Sequence, residues 1–356
     1  MSGTSLDGLD IALCHFNNRN GSWEYTIIEA ETVDYSESEK NIFAEMYLCS
    51  GQRLIELDRT FGRFLGNQVN HFIEKYHCEV DFISSHGHTI FHQPDKGFTY
   101  QAGNGPDLSA ITGLPVVCDF RSMDVALGGQ GAPLVPIGDE MLFQNFSACL
   151  NLGGIANISF VKNSKRLAYD ICPVNIPLNY LALFLGFKYD EGGMLASKGS
   201  VKKNMLEKLN SLEYYKKDYP KSLGKEWIDQ YFFPLIKSTD ISTNDLLATV
   251  CGHISFQINL SVKKLLEKKS NLDYTILVTG GGAFNLHLMD LLQKDAPKNV
   301  HYNIPDSKII MFKEAIIFAY LGVLRLLNVP NALADVTGAK YNNVGGAFHG
   351  DFRNII

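Results

Sequence analysis

Apolar positions along the chain change period several times, and each change marks an element. Leu9 to Phe16 reads as a strand, the polar cluster Asn17 to Ser22 as a turn, and Trp23 to Tyr35 as a long alternating strand, which together predict a hairpin. Glu39 to Leu48 and Leu54 to Tyr76 carry apolar residues at helical spacing. Val80 to Ser84 is a short apolar strand leading into SSHGHTIFHQP, which reads as loop, and a further strand, helix and strand carry the chain through Val117.

The middle of the chain repeats its beginning. SACLNLGGIANISFVKNSKRLAYDIC, Ser147 to Cys172, predicts strand, glycine turn, strand, polar turn and strand. The first copy has glycine turn, strand, polar turn and strand without the opening arm, so about four to seven residues of strand are expected ahead of Met1. Beyond Asp170 the pattern turns helical. Ser242 and Asp245 form a capping signal, and Leu246, Val250, Ile254, Ile258, Val262 and Leu265 fall on one face. Lys263, Lys264, Lys268 and Lys269 then read as a solvated helix end. Tyr274 to Val278 is a buried strand followed by a triple-glycine turn and a helix, and a last helix spans Lys313 to about Leu327.

Composition narrows the class. A chain of 356 residues suits two domains, and 46% hydrophobic with 20% charged residues is globular. A formal charge of −6 without a basic block excludes an electrostatic footprint for nucleic acid. Seven scattered cysteines without C-x-x-C spacing argue against a disulfide framework or zinc site and for a reducing, cytoplasmic setting. The longest apolar stretch, Ala315 to Leu327, is too short to span a bilayer, so no membrane partner is expected. His86, His88 and His92 invite a metal reading, but no acid or cysteine stands at ligand spacing, and polar loop histidines are the expectation.

Three glycine-rich turns remain as candidate chemistry: Gly3 to Gly8, Gly153 with Gly154, and Gly280 to Gly282. Glycine lets backbone N–H groups approach an anion closely, and a helix start behind the turn adds a favourable dipole. Neither a Walker A motif nor a G-x-G-x-x-G turn in strand-to-helix context is present. Two glycine-bent hairpins, one per half, followed by a later strand, glycine turn and helix, is the layout of the actin-like sugar kinases. The fold expected is therefore α/β, a two-domain actin-like ATPase with a central cleft. The first domain would span 1–135, with 313–356 returning to it, and the second 136–312.

The sequence also resembles one family closely, the anhydro-N-acetylmuramic acid kinases of bacterial cell-wall recycling. The resemblance is carried in order by MSGTSLDGLD, SHGHTIFHQP, DFRSMDVALGGQGAPLVP, NLGGIANISF, YDEGGMLASKG, YPKSLGKEW, TGGGAFNLHLM, FKEAIIFAYLG and DVTGA. It implies an ATP-dependent enzyme that opens the 1,6-anhydro bond of the sugar with water and phosphorylates the freed 6-hydroxyl. The product would be N-acetylmuramic acid 6-phosphate.

By the same resemblance Asp170 in AYDICPVN is the general base, closing the strand that carries it. Gly3, Thr4, Ser5, Leu6, Asp7, Gly8, Leu9 and Asp10, with Gly153, Gly154, Gly280, Gly281, Gly282 and Asn285, would hold ATP, and Asp7 or Asp10 would orient Mg²⁺ through water. His86, Arg121, Asp124 and Glu314 fall on the sugar side. Arg121 has two open readings, a fork on the substrate's lactyl carboxylate or a structural Arg to Asp pair. A homodimer is implied by resemblance alone. Ile171, Cys172 and Val174 depart from the family pattern, where Thr, Gly and Gly are usual, and His88 replaces Gln. The alternatives are a non-catalytic sugar or nucleotide sensor on the same fold, or a kinase for a related anhydro or amino sugar.

Overall fold

The computed structural model describes residues 1–3, 8–219, 221–237, 239–265, 272–353 and 355. The chain divides into two mixed α/β units, Met1–Leu142 with Phe312–Ile356, and Phe143–Met311. Strands β1 (Leu9–Arg19), β2 (Ser22–Val33), β3 (Ile83–Ser85), β4 (His88–Gln93), β5 (Phe98–Ala102) and β6 (Val116–Cys118) belong to the first unit. The second contains β7 (Ala148–Leu152), β8 (Ile155–Lys162), β9 (Lys165–Pro173), β10 (Tyr274–Thr279) and β11 (Val300–Asn303), and β12 (Ala347–His349) returns to the first.

In the second unit the strands form one sheet in the order β11-β10-β7-β8-β9. β7, β8 and β9 run as an antiparallel meander, while β10 and β11 lie parallel to β7. The central strands ACLNL and YTILVT are apolar on both faces because both faces are covered, and Leu150, Ile276, Leu277 and Val278 are buried. Asn163 and Ser164 join β8 to β9 with φ of 52° and 60°, the left-handed pair a tight hairpin turn requires. The later strand, glycine turn and helix follow in sequence as the pattern predicts.

The helix Thr243–Leu265 packs its stripe of Leu246, Val250, Ile254, Ile258 and Val262 into this core. Ser242 Oγ accepts from the Asp245 N–H at 3.3 Å, so the capping signal is half fulfilled. The Asp245 carboxylate turns instead to the Ser200 N–H and Lys202 Nζ. Lys263 and Lys264 close the helix; Lys268 and Lys269 lie outside the described residues.

In the first unit β1 and β2 form a hairpin, β12-β6-β3 a three-stranded sheet, and β4 and β5 a second hairpin. The last of these corrects the sequence reading. His88 to Gln93 is strand, not loop, because His88 and Ile90 face inward while Thr89 and Phe91 alternate with them, a period-two pattern hidden by its histidines. The helix Gly51–Tyr76 starts at Ser50, whose side chain accepts from the Arg53 N–H, and ends at His77 in the left-handed conformation. Lys313 Nζ and Asp139 Oδ1 form a buried ion pair at 2.6 Å that ties the helix Val135–Leu142 to the helix Ser307–Leu326. All seven cysteines are free. Among the described residues no helix is long and apolar enough to cross a membrane, and no group of three or more metal-ligating side chains occurs.

One buried polar network makes the second unit sensitive to acid. His253 lies at 2.7 Å from Asn210 Oδ1 and 2.9 Å from the Tyr215 hydroxyl, both ring nitrogens engaged, and burial pushes its pKa down to about 3. An unfolded histidine titrates near 6.5, so the unfolded chain takes up the proton first. Stability is then intact above that value and falls with decreasing pH by roughly 1.4 kcal/mol per pH unit until about pH 3. Urea unfolding at pH 7 and pH 5 should show the wild type losing about 2 kcal/mol more than His253→Gln. Equal losses would mean that His253 charges freely in the folded state.

Candidate active site

The second unit brings two glycine turns together. A Cβ on Gly280 would stand 2.8 Å from the Leu152 carbonyl carbon, and one on Gly282 would stand 2.7 Å from Leu152 Cβ, so the Gly280–Gly282 turn lies directly on the end of β7. Gly280 has φ of 82°, which a side chain would strain. Gly153 and Gly154 turn β7 into β8, and their carbonyls accept from the Asn175 and Val174 N–H groups at 3.2 and 2.9 Å. Asn175 Nδ2 adds a bond to the Leu152 carbonyl at 3.0 Å. The start of the helix Asn175–Leu183 is thereby fastened behind both turns. Asn285, expected on the nucleotide, caps the helix Leu286–Lys294 by accepting from the Leu288 N–H at 3.0 Å.

Asp170 lies within β9, three residues before its end at Pro173, rather than at the tip. Its backbone N–H donates to the Lys221 carbonyl at 3.2 Å, and its carbonyl accepts from the Tyr214 hydroxyl at 2.6 Å. Carboxylate Oδ2 accepts from the Leu223 N–H at 2.9 Å and from Ser222 Oγ at 3.1 Å. Oδ1 has no hydrogen bond among the described residues. Burial raises the pKa of this carboxyl, and the two donors on Oδ2 oppose the rise. One oxygen is anchored and the other is left for a proton, which suits a base.

No local pattern in YPKSLGKEW assigns that segment a task. The structure uses Lys221, Ser222 and Leu223 to cover the outer edge of β9 and to grip Asp170, and Tyr214 braces the same residue. The three departures also find their place. Ile171, Cys172 and Val174 are buried in the hydrophobic core of the second unit. Ile171 is the extra residue of a bulge opposite Ala156 and Asn157. Val174 has φ of −126°, so its backbone does not need glycine.

The first unit gathers a second group. Arg121 donates from Nε at 3.0 Å and from Nη2 at 2.9 Å to His86 Nε2, and from Nη1 at 2.7 Å to the Gly131 carbonyl. His86 Nε2 must then be the acceptor, and Nδ1 carries the proton donated to the Gly87 carbonyl at 2.9 Å. Burial, with the Arg121 charge second, holds the His86 pKa well below its ordinary value. Burial pushes Arg121 down to about 10, against the pull of Glu314. Glu314 is accessible to water yet ringed by protein. That desolvation raises its pKa first, Arg121 and Lys313 lower it, and Asp10 adds to the rise.

The structural Arg to Asp pair is not formed. Asp124 is fully buried, and its oxygens are taken by the Gly131 N–H, Thr337 Oγ1 and Asn343 Nδ2, each at 2.8 Å. Asp124 therefore clamps the Gly128–Gly131 loop to the DVTGA segment and offers no free oxygen to a sugar. His88 bonds Ser2 Oγ at 2.8 Å, Tyr35 donates to the same hydroxyl at 2.6 Å, and His92 meets Thr99, so the three histidines have separate local partners. Gly8 and Leu9 are packed at the end of β2, and Asp10 Oδ1 accepts from Thr32 Oγ1 at 2.6 Å. Gly3 is half-buried, while Thr4, Ser5, Leu6 and Asp7 lie outside the described residues.

Comparison with known proteins gives the family. The chain is 33% identical over 367 residues to an anhydro-N-acetylmuramic acid kinase of Aliivibrio fischeri, covering 97% of this chain and 96% of the relative. It is 34% identical over 374 residues to one of Pseudomonas fluorescens, covering 98% of each. A solved hexokinase of Schistosoma mansoni, complexed with glucose, aligns over 88% of this chain and 83% of its own at 10% identity and a TM-score of 0.34, too low to carry an argument. The profile of anhydro-N-acetylmuramic acid kinase matches residues 1–350, and with the anchored Asp170 and the paired glycine turns in place, the chain belongs to the anhydro-N-acetylmuramic acid kinase family.

Proposed function

We propose that the protein uses ATP to open 1,6-anhydro-N-acetylmuramic acid with water and to phosphorylate the freed 6-hydroxyl, giving N-acetylmuramic acid 6-phosphate. The observation that carries this reading is the Asp170 carboxylate, desolvated, held through Oδ2 and open at Oδ1. Oδ1 takes a proton from the water that attacks the anomeric carbon, the bond from that carbon to O6 of the anhydro bridge breaks, and O6 takes the γ-phosphoryl group as ADP leaves. The Gly153–Gly154 and Gly280–Gly282 turns present backbone to the nucleotide at close range.

Arg121 has donors beyond those given to His86 and Gly131, and its guanidinium suits the lactyl carboxylate of the sugar. His86 positions that guanidinium and stays neutral, so it does not repel it. Asp10 and Glu314 lie near enough for each charge to affect the other, a pair that fits a hydrated Mg²⁺, which needs only one or two carboxylates besides phosphate. Bound there, the ion would neutralise charge on the transferring phosphates. The seven free cysteines support a cytoplasmic setting, and a homodimer follows from the family resemblance.

Incubation with ATP, Mg²⁺ and the anhydro sugar, followed by mass spectrometry, should yield the 6-phosphate. Asp170→Asn should lower turnover by about 100- to 10,000-fold, the usual worth of a general base. Absence of product from the wild type would refute the activity, and near-normal turnover by the variant would remove Asp170 from its role. Ser222→Ala removes a donor to the ionised carboxylate. It should raise the Asp170 pKa further and move the acid limb of kcat/KM to higher pH while leaving the KM for ATP unchanged. An unshifted pH profile in that variant would show that Ser222 does not tune the base.

A further inference from the structure

An unbroken polar row crosses the sheet of the second unit. Thr279 of β10 lies opposite Asn151 of β7, Asn151 opposite Asn157 of β8, and Asn157 opposite Asp170 of β9. Residues directly opposite one another share a face of the sheet, so the four side chains form a line on one face. The neighbouring row holds Val278, Leu150, Ile158 and Tyr169, which point the other way into the hydrophobic core. Asn151, Asn157 and Asp170 are half-buried on the face turned away from that core.

Polar groups taken out of water cost stability unless they find partners. Asp170 has its donors on Oδ2, whereas the Asn151 and Asn157 side chains have no hydrogen bond among the described residues, and Thr279 Oγ1 is buried without one. Position divides the row. Asn151 stands between the glycine turns: a Cβ on Gly280 would run into its Oδ1, and one on Gly153 would stand 3.3 Å from its Nδ2. Asn157 stands beside Asp170, with about 4.5 to 5.5 Å between Cβ atoms, the separation of an antiparallel pair. Ile171, the extra residue of the bulge, follows this pair directly, where a bulge re-aims the adjacent side chain.

We infer that Asn157 is a second holder of the attacking water: its Oδ1 accepts one hydrogen of the molecule whose other hydrogen goes to Asp170 Oδ1. The inference rests on the reaction proposed above. Two acceptors on one water leave a lone pair of its oxygen directed away from both, toward the anomeric carbon. Asp170 removes one proton. The hydrogen held by Asn157 stays on the oxygen and becomes that of the anomeric hydroxyl, as the bond to O6 breaks and O6 takes the γ-phosphoryl group. An amide suits this place because it accepts a hydrogen bond without charge, where a second carboxylate would repel that of Asp170.

Steady-state kinetics on the anhydro sugar compare the wild type with Asn157→Ala, Asn157→Asp, Asp170→Asn and the double variant of Asn157→Ala with Asp170→Asn. Thermal unfolding checks each fold, and Asn157→Ser replaces the alanine variant should its midpoint fall. Asn157→Ala should lower kcat about 10- to 100-fold with the KM for ATP within about twofold. Asn157→Asp should recover part of that loss above its acid limb, and the limb should lie at higher pH than in the wild type because the two carboxyls titrate as a pair. In the Asp170→Asn background the alanine substitution should cost less than about threefold, since both residues act on one water. Wild-type kcat in Asn157→Ala beside a strong loss in Asp170→Asn would overturn the inference and leave the base in place. Equal losses in the alanine and aspartate variants with an unmoved limb would reduce Asn157 to a structural role, and fully multiplicative losses in the double variant would separate it from the base; either result overturns the inference. Near-normal turnover by Asp170→Asn would instead refute the base itself, and this inference with it.

Discussion

A carboxylate taken out of water protonates unless donors hold its charge, and the second unit is arranged around one such case. Burial drives Asp170 toward the neutral form, and the Leu223 N–H and Ser222 hydroxyl pull it back. Both donors come from a segment that also pairs with the Asp170 backbone through Lys221. Positioning and tuning are therefore one interaction. The bulge at Ile171 and the bond from Tyr214 fix the strand from which the carboxylate projects. The glycine turns depend on the same meander, since Gly153 and Gly154 receive the N–H groups of residues just beyond β9.

The first unit solves a different electrostatic problem, which is how to keep a guanidinium charged within protein. Arg121 spends three of its bonds on acceptors that carry no charge, His86 and the Gly131 carbonyl, and Glu314 supports it from a distance. A neutral acceptor orients the fork without satisfying its charge. An anionic ligand is then the partner that gains most, whereas a direct carboxylate contact would have neutralised the group in advance. Asp124 was available for such a contact and is instead committed to Gly131, Thr337 and Asn343.

Much of this was legible in the sequence, and the reasons are physical. The hairpin at Ser147 to Cys172, the stripe from Leu246 to Val262 and the strand before Gly280 all had clean periodicity, and each formed. Asp170 and the glycine turns stood out through their motifs. The contacts that give them meaning did not, because the grip of Lys221–Leu223 on Asp170 and the capture of Arg121 by His86 join residues 52 and 35 positions apart, and no local pattern encodes such pairs. Strand β4 was missed because its histidines disguised an alternating core face. Asp124 was placed on the sugar side by motif context alone, where burial decides otherwise. The replacement of usual glycines by Cys172 and Val174 is harmless to the backbone, since those side chains enter the core and Val174 has a negative φ.

The central claim, that a desolvated Asp170 acts as the base, is tested most directly by the pH dependence of kcat/KM for the anhydro sugar at saturating ATP. Activity should fall on the acid side with an apparent pKa above the ordinary aspartate value near 3.9, and that limb should vanish from the residual rate of Asp170→Asn. An acid limb that persists unchanged in the variant, or a wild-type rate that stays level down to pH 4, would contradict the account.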